Sequence, residues 1–120
     1  MQQKYDLDDR LINFASNCLD IGEKLPPTYA GNYLGSQLVR SGTSPALHYG
    51  EAHGAESSND FIHKMKVCLK ELRETFNCLR LIQKRNWVGE DKLSNLIAEN
   101  NQLIAIFVAS LKTAQKNKRR

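Results

Sequence analysis

A chain of 120 residues, 41% apolar and 25% charged, has room for one domain with a modest core and is too apolar to be disordered. No apolar run is long enough to span a bilayer, and the start MQQKYDLDDR lacks the apolar centre of a secretory signal, so a cytoplasmic location without membrane contact is expected. The net charge is only +4, and much of it comes from the last nine residues, KTAQKNKRR.

The first periodic segment is Asp6 to Lys24. Leu7, Leu11, Phe14, Cys18, Ile21 and Leu25 recur at spacings of 4, 3, 4, 3 and 4, which places them on one stripe of a helix. Asp6, Asp8 and Asp9 lie near its start, where negative charge suits unpaired amides. Pro26 and Pro27 end it and can open the next helix, since proline is tolerated in a first turn.

The second segment runs from about Pro27 to Ser57. Its helix propensity is poor. Gly31, Gly35, Gly42, Gly50 and Gly54 each cost about 1 kcal/mol in a helix interior relative to alanine. Pro45 lacks a backbone donor and crowds the Ser41 carbonyl. Local propensity would break the segment between Ser41 and Pro45; compensating packing would leave one long helix kinked near Pro45. The pairs Gly31/Gly35 and Gly50/Gly54 suggest bare patches for close helix approach, with Gly50 and Gly54 singled out as close-packing positions.

The third segment spans about Asn59 to Asn86. Phe61, Met65, Cys68, Leu72, Thr75, Leu79 and Ile82 form a stripe at spacings of 4, 3, 4, 3, 4 and 3, flanked by Ile62, Leu69 and Phe76. So broad an apolar face suits a bundle better than a two-stranded coil. Ser57 or Ser58 can cap its start. Lys70 and Glu74 are spaced as an ion pair along the helix.

The fourth segment follows NWVGED, with Leu93, Ile97, Asn100, Ile104, Phe107 and Leu111 on its stripe. Trp87 is expected to plug the end of the core. Asn100, polar within an apolar stripe, calls for a partner across the bundle or at a seam between subunits. The fold expected is all-α: one antiparallel up-and-down four-helix bundle over residues 1–120, with the second helix long and kinked near Pro45 and a frayed basic tail from about residue 113.

HYGEAHGAES, residues 48–57, concentrates two histidines and two glutamates. On a helix His48 and Glu51 share one face, whereas His53 and Glu56 point elsewhere. Di-metal bundles use Glu-x-x-His with the carboxylate first, the reverse of His48 and Glu51. A metal set of His48, Glu51, His63 and Glu74 would require four residues chosen freely from separate places. Neither a metal site nor a cofactor is expected, and no nucleophile motif surrounds Ser41 or Ser44. Cys18, Cys68 and Cys78, odd in number and without a CxxC, read as reduced core thiols. The preferred reading of the cluster is a polar helix seam of His48, Glu51, Glu71 and Glu74, closed within one subunit or between two. Lys112, Lys116, Lys118, Arg119 and Arg120 form a basic end able to meet phosphate backbones.

The stretch from Gln37 to Ile82, QLVRSGTSPALHYGEAHGAESSNDFIHKMKVCLKELRETFNCLRLI, resembles the bacterial 23S rRNA intervening-sequence proteins. Arg40 and Ser41, Glu51 among small residues, Ser57, Asp60 and Phe61, then Lys70, Glu71, Glu74 and Thr75 carry the likeness, with the Leu25-Pro26 break between the first two helices. The resemblance implies a four-helix bundle assembled as a homopentamer, with no established enzymatic activity. Relatives include accessory proteins of diversity-generating retroelements, which implies RNA, DNA or a protein as partner. His48 stands where relatives often have asparagine, and the modest charge departs from the strongly basic accessory proteins. The sequence therefore leads to a non-enzymatic oligomeric interaction or scaffold protein, with a nucleic-acid-binding accessory protein as the alternative and a bundle metalloprotein a distant third.

Overall fold

The computed structural model describes residues 6–118 as four helices: α1 Leu7–Lys24, α2 Tyr29–His53, α3 Ser58–Arg85 and α4 Glu90–Lys118. Each start has a physical cause. The Asp6 carboxylate accepts from the Asp9 amide at 3.3 Å, and Thr28 Oγ1 accepts from the Gly31 amide at 3.1 Å. Ser57 Oγ accepts from the Asp60 amide at 3.0 Å, while the Asp60 carboxylate accepts from the Glu56 amide at 3.2 Å. α3 stops at Asn86, whose φ of 56° is left-handed, a conformation that asparagine tolerates at a helix end. Pro26 and Pro27 do not open α2. They precede its cap, Thr28, and so lie outside the helix.

Cross-helix contacts fix the antiparallel order. Between α1 and α2, Gly22 meets Val39 and Cys18 meets Gly42. Between α2 and α3, Leu34 meets Cys78 and Ser41 meets Thr75. Between α3 and α4, Leu72 meets Asn100 and Gln83 meets Glu90. In each pair one number rises as the other falls. α1 and α4 touch less than the sequential pairs, and Arg10 helps to close that seam by reaching Glu99 at 2.6 Å and Gln102 at 3.1 Å.

α2 is continuous through Pro45, which is buried. Its inward stripe is Gly31, Gly35, Leu38, Gly42, Pro45, Tyr49 and Ala52, again at spacings of 4 and 3. These small residues let α1 and the turn that follows it come close. A Cβ at position 31 would lie 2.0 Å from the Pro26 carbonyl oxygen, and one at position 42 would lie 2.6 Å from Cys18 Sγ. Gly50 and Gly54 are off this stripe. Both are exposed, and a Cβ at Gly50 would meet nothing within 4 Å, so the close packing within the chain belongs to Gly31 and Gly42 instead.

The core is otherwise aliphatic, with Phe14 and Phe107 fully buried. Val88 packs against it. Trp87 is only half-buried, with the Arg85 guanidinium 5.2 Å from its ring centre, so it covers the bundle end less than expected. α4 stays helical through Lys118, past the point where fraying was expected to begin; Arg119 and Arg120 lie outside the described residues.

Candidate functional site

Among the described residues three polar side chains are fully buried: Ser41, Thr75 and Asn100. Thr75 Oγ1 lies 2.8 Å from both Ser41 Oγ and the Glu71 carbonyl oxygen. One proton cannot serve both, so the consistent assignment has Thr75 donating to the carbonyl and accepting from Ser41. Asn100 donates through Nδ2 to the Leu72 carbonyl at 3.1 Å, bonding across the bundle from α4 to α3. Its Oδ1 has no partner among the described residues, and such an orphan costs about 1–3 kcal/mol. These groups form a polar middle layer that fixes how the helices meet. They are too enclosed to meet a substrate.

The expected seam of His48, Glu51, Glu71 and Glu74 is only partly assembled. Glu71 and Glu74 do come together, on Arg40 of α2. Arg40 donates to Glu71 at 2.9 Å and to Glu74, and also to Gln37 Oε1 at 2.9 Å. Arg40 is thus the centre of the network, and Glu74 pairs across helices rather than with Lys70. His48 stands apart, its Nδ1 3.1 Å from Ser44 Oγ on the same helix. Glu51 is exposed and makes no hydrogen bond or ion pair among the described residues, although its charge reaches Lys64. The sequence signal for Arg40 was its position seven after Tyr33 and seven before Leu47, on an outward stripe.

No three His, Cys, Asp or Glu side chains converge as a metal site among the described residues; His63 is exposed and Glu74 is held by Arg40. The cysteines are buried and unpaired by disulfides. Burial pushes the Cys18 thiol up to about 12 and the Cys68 and Cys78 thiols up to about 11. They are therefore poor nucleophiles at neutral pH. No helix of the described residues is long and apolar enough to cross a membrane.

Large apolar side chains are exposed on three of the four helices. α1 presents Ile12 and Leu19, seven residues apart. α2 presents Tyr33 (57% exposed) and Leu47 (68%), each seven residues from Arg40. α3 presents Val67 and Leu81 (54%), each seven residues from Glu74. Since Arg40 pairs with Glu74 and the helices run antiparallel, Tyr33 falls opposite Leu81 and Leu47 opposite Val67. The outer α2–α3 edge is therefore an apolar strip on either side of an ion pair. None of the exposed large hydrophobic residues lies on α4.

Fold and surface together define a helical-bundle protein without a catalytic constellation among its described residues, whose distinctive chemistry lies on its outer faces. The chain belongs to the family described as 23S rRNA-intervening sequence protein, which matches residues 3–109. A crystal structure of a protein with unknown function from the S23 ribosomal protein family of Bacteroides thetaiotaomicron has the same fold, with a TM-score of 0.82. It is 24% identical, and the match covers 89% of this chain and 99% of that one. A search of curated proteins gives no match.

Proposed function

We propose that this protein is a non-enzymatic, self-associating scaffold, with the outer α2–α3 edge as one contact surface and the Ile12/Leu19 stripe of α1 as the other. The observation that carries this reading is the gathering of exposed large apolar side chains on α1, α2 and α3 and not on α4. Side chains scattered singly need no explanation, whereas an ordered strip rimmed by polar groups is the usual mark of an interaction site. Two unlike surfaces on adjoining sides of a subunit suit a head-to-tail contact, which closes into a ring when the rotation per subunit permits. Five subunits are expected from the family resemblance alone. Glu51 and His48, left largely unused by their own subunit, are available to a neighbour on the same edge.

Mass in solution, from light scattering coupled to size exclusion, tests this directly. The expected particle is a multiple of the 13.6 kDa chain, and Leu47→Asp with Leu81→Asp should reduce it to the monomer while leaving helical content unchanged. A wild-type protein that runs as a monomer at micromolar concentration overturns the proposal.

A further inference from the structure

The charges of α3 are sorted by flank. Its three carboxylates all lie on the α2 side and are all paired, Asp60 with Lys64 and both Glu71 and Glu74 with Arg40. The opposite flank carries Lys66, Lys70, Arg73, Arg80 and Lys84, with Asn77 completing spacings of 4, 3, 4, 3 and 4. All six are exposed, and none of the five cations has a carboxylate partner among the described residues. The row extends about 27 Å at 1.5 Å per residue.

The adjoining face of α4 does not neutralise this row. Gln115 and Lys118 approach α3 beside Lys66, and the positions sharing the face of Gln115 by helical spacing are Ala98, Asn101, Ala105, Val108 and Lys112. Carboxylates enter only at the far end, at Glu90 and Asp91, where Glu90 already accepts from Gln83 and Ser94. At the other end the row opens into a concave pocket of about 520 Å³ lined by Asn59, Ile62, His63, Lys66, Gln115 and Lys118. That lining holds several hydrogen-bond donors and two ammonium groups, with no carboxylate.

We propose that the α3–α4 face binds the phosphate backbone of a nucleic-acid duplex, with the α3 row tracking one strand and the Lys66/Lys118 pocket receiving a phosphate at its end. Regularly spaced cations with no carboxylate between them match a polymer of regularly spaced phosphates. No exposed aromatic side chain interrupts the row, and Phe76 is half-buried beneath Arg80, so base stacking is absent from the contact and recognition is independent of sequence. An anionic membrane is a poorer fit: an interfacial helix inserts an apolar face, and the apolar side chains of α3 lie in the core or on the α2 edge, away from the cationic row. The basic end of α4 takes part as an extension of this surface.

Fluorescence anisotropy with a labelled 20-base-pair RNA duplex tests the proposal. About five phosphate contacts give a log–log salt slope near −4.5, and K70E/R73E/R80E should make it shallower by about 2.7 and weaken binding at least tenfold in 50 mM salt. A K24E/K92E variant, which lowers net charge away from the face, should bind within about threefold of wild type, since salt screens distant charge. Circular dichroism and particle mass of the triple variant should match wild type. Several results overturn the proposal: no duplex binding at 50 mM salt, a triple variant that binds as wild type, or equal loss in the control. Loss of all binding on truncation after Thr113 with the triple variant still binding would place the contact in the tail alone and also refute it. So would a changed particle mass, which would assign the face to subunit contact, or preferential capture by phosphatidylserine vesicles.

Discussion

Gly42→Ala adds one methyl group where α1 and α2 cross. The new Cβ would stand 2.6 Å from Cys18 Sγ and 2.8 Å from Cys18 Cβ, whereas ordinary contact begins near 3.4 Å. Rotating Cys18 moves its sulfur but leaves its Cβ in place, so the helices must part by about 0.6 Å, from 2.8 to 3.4 Å. Overpacking of this kind costs about 1–3 kcal/mol. The alanine also improves helix propensity by about 0.8–1 kcal/mol. Gly50→Ala has the same propensity gain with no clash, so the difference between the two variants isolates the overpacking term at about 1–3 kcal/mol. Urea unfolding followed by far-ultraviolet circular dichroism measures it, at one protein concentration because self-association would shift the midpoint. In a Cys18→Gly background both close contacts disappear, and Gly42→Ala should become stabilising. Equal stability of Gly42→Ala and Gly50→Ala would refute the close-crossing account. Gly50→Leu extends the comparison: it should leave monomer packing undisturbed, and a changed particle mass would place Gly50 at a contact between subunits.

Asn100→Leu removes a buried carbonyl that has no partner, while the Leu72 carbonyl can keep its helical bond. Stability should rise by about 1 kcal/mol, and a loss exceeding that amount would show that the amide holds the middle layer together. Arg40→Ala strips the shared cation from Glu71 and Glu74; the pair is partly exposed, so about 0.2–1 kcal/mol should be lost in low salt and less in 1 M salt. A loss indifferent to salt would assign the effect to the packing of the arginine stem. The thiols give an alkaline signature. Their folded values, about 11 to 12, exceed the ordinary 9.0, so unfolded chains release these protons first. The stabilising effect is complete below pH 9 and is lost as pH rises towards 11–12. Cys18→Ala should flatten the fall in stability between pH 9 and 10, and an unchanged slope would contradict the assigned burial. At pH 8 native protein should resist a disulfide thiol reagent that labels it rapidly in urea.

The helices were legible wherever their inward residues were large. In α1 and α3 the spacings of 4 and 3 among Leu, Ile, Phe and Met largely matched the buried stripes, and Ser57 was one of two capping serines readable beside them; in α4 Leu96 and Leu103 are buried where the stripe named Ile97 and Ile104. α2 obeys the same spacing, but its inward residues include Gly31, Gly35, Gly42 and Pro45. A pattern read by hydrophobicity passes over such residues, and the glycine pair Gly50/Gly54 then looks as good as Gly31/Gly35. Extending the stripe from Gly31 in steps of 4 and 3 would have separated them, because it reaches Gly42 and misses Gly50.

Charge was misread for a related reason. Along one helix, spacing pairs Glu74 with Lys70; in three dimensions Arg40 of the neighbouring helix takes Glu74 and leaves Lys70 free. That exchange depends on the α2–α3 register, which no spacing within α3 reveals. Its effect extends along the whole helix. Once Arg40 and Lys64 have claimed the three carboxylates of α3, the opposite flank is cationic from Lys66 to Lys84. The same pairing sets Tyr33 opposite Leu81 and Leu47 opposite Val67, which makes the apolar edge continuous. The register that Arg40 marks therefore organises both outer surfaces of α3: the edge suited to a second subunit and the row suited to phosphates. They occupy different flanks of one helix, so a scaffold closed along the first keeps the second open to solvent.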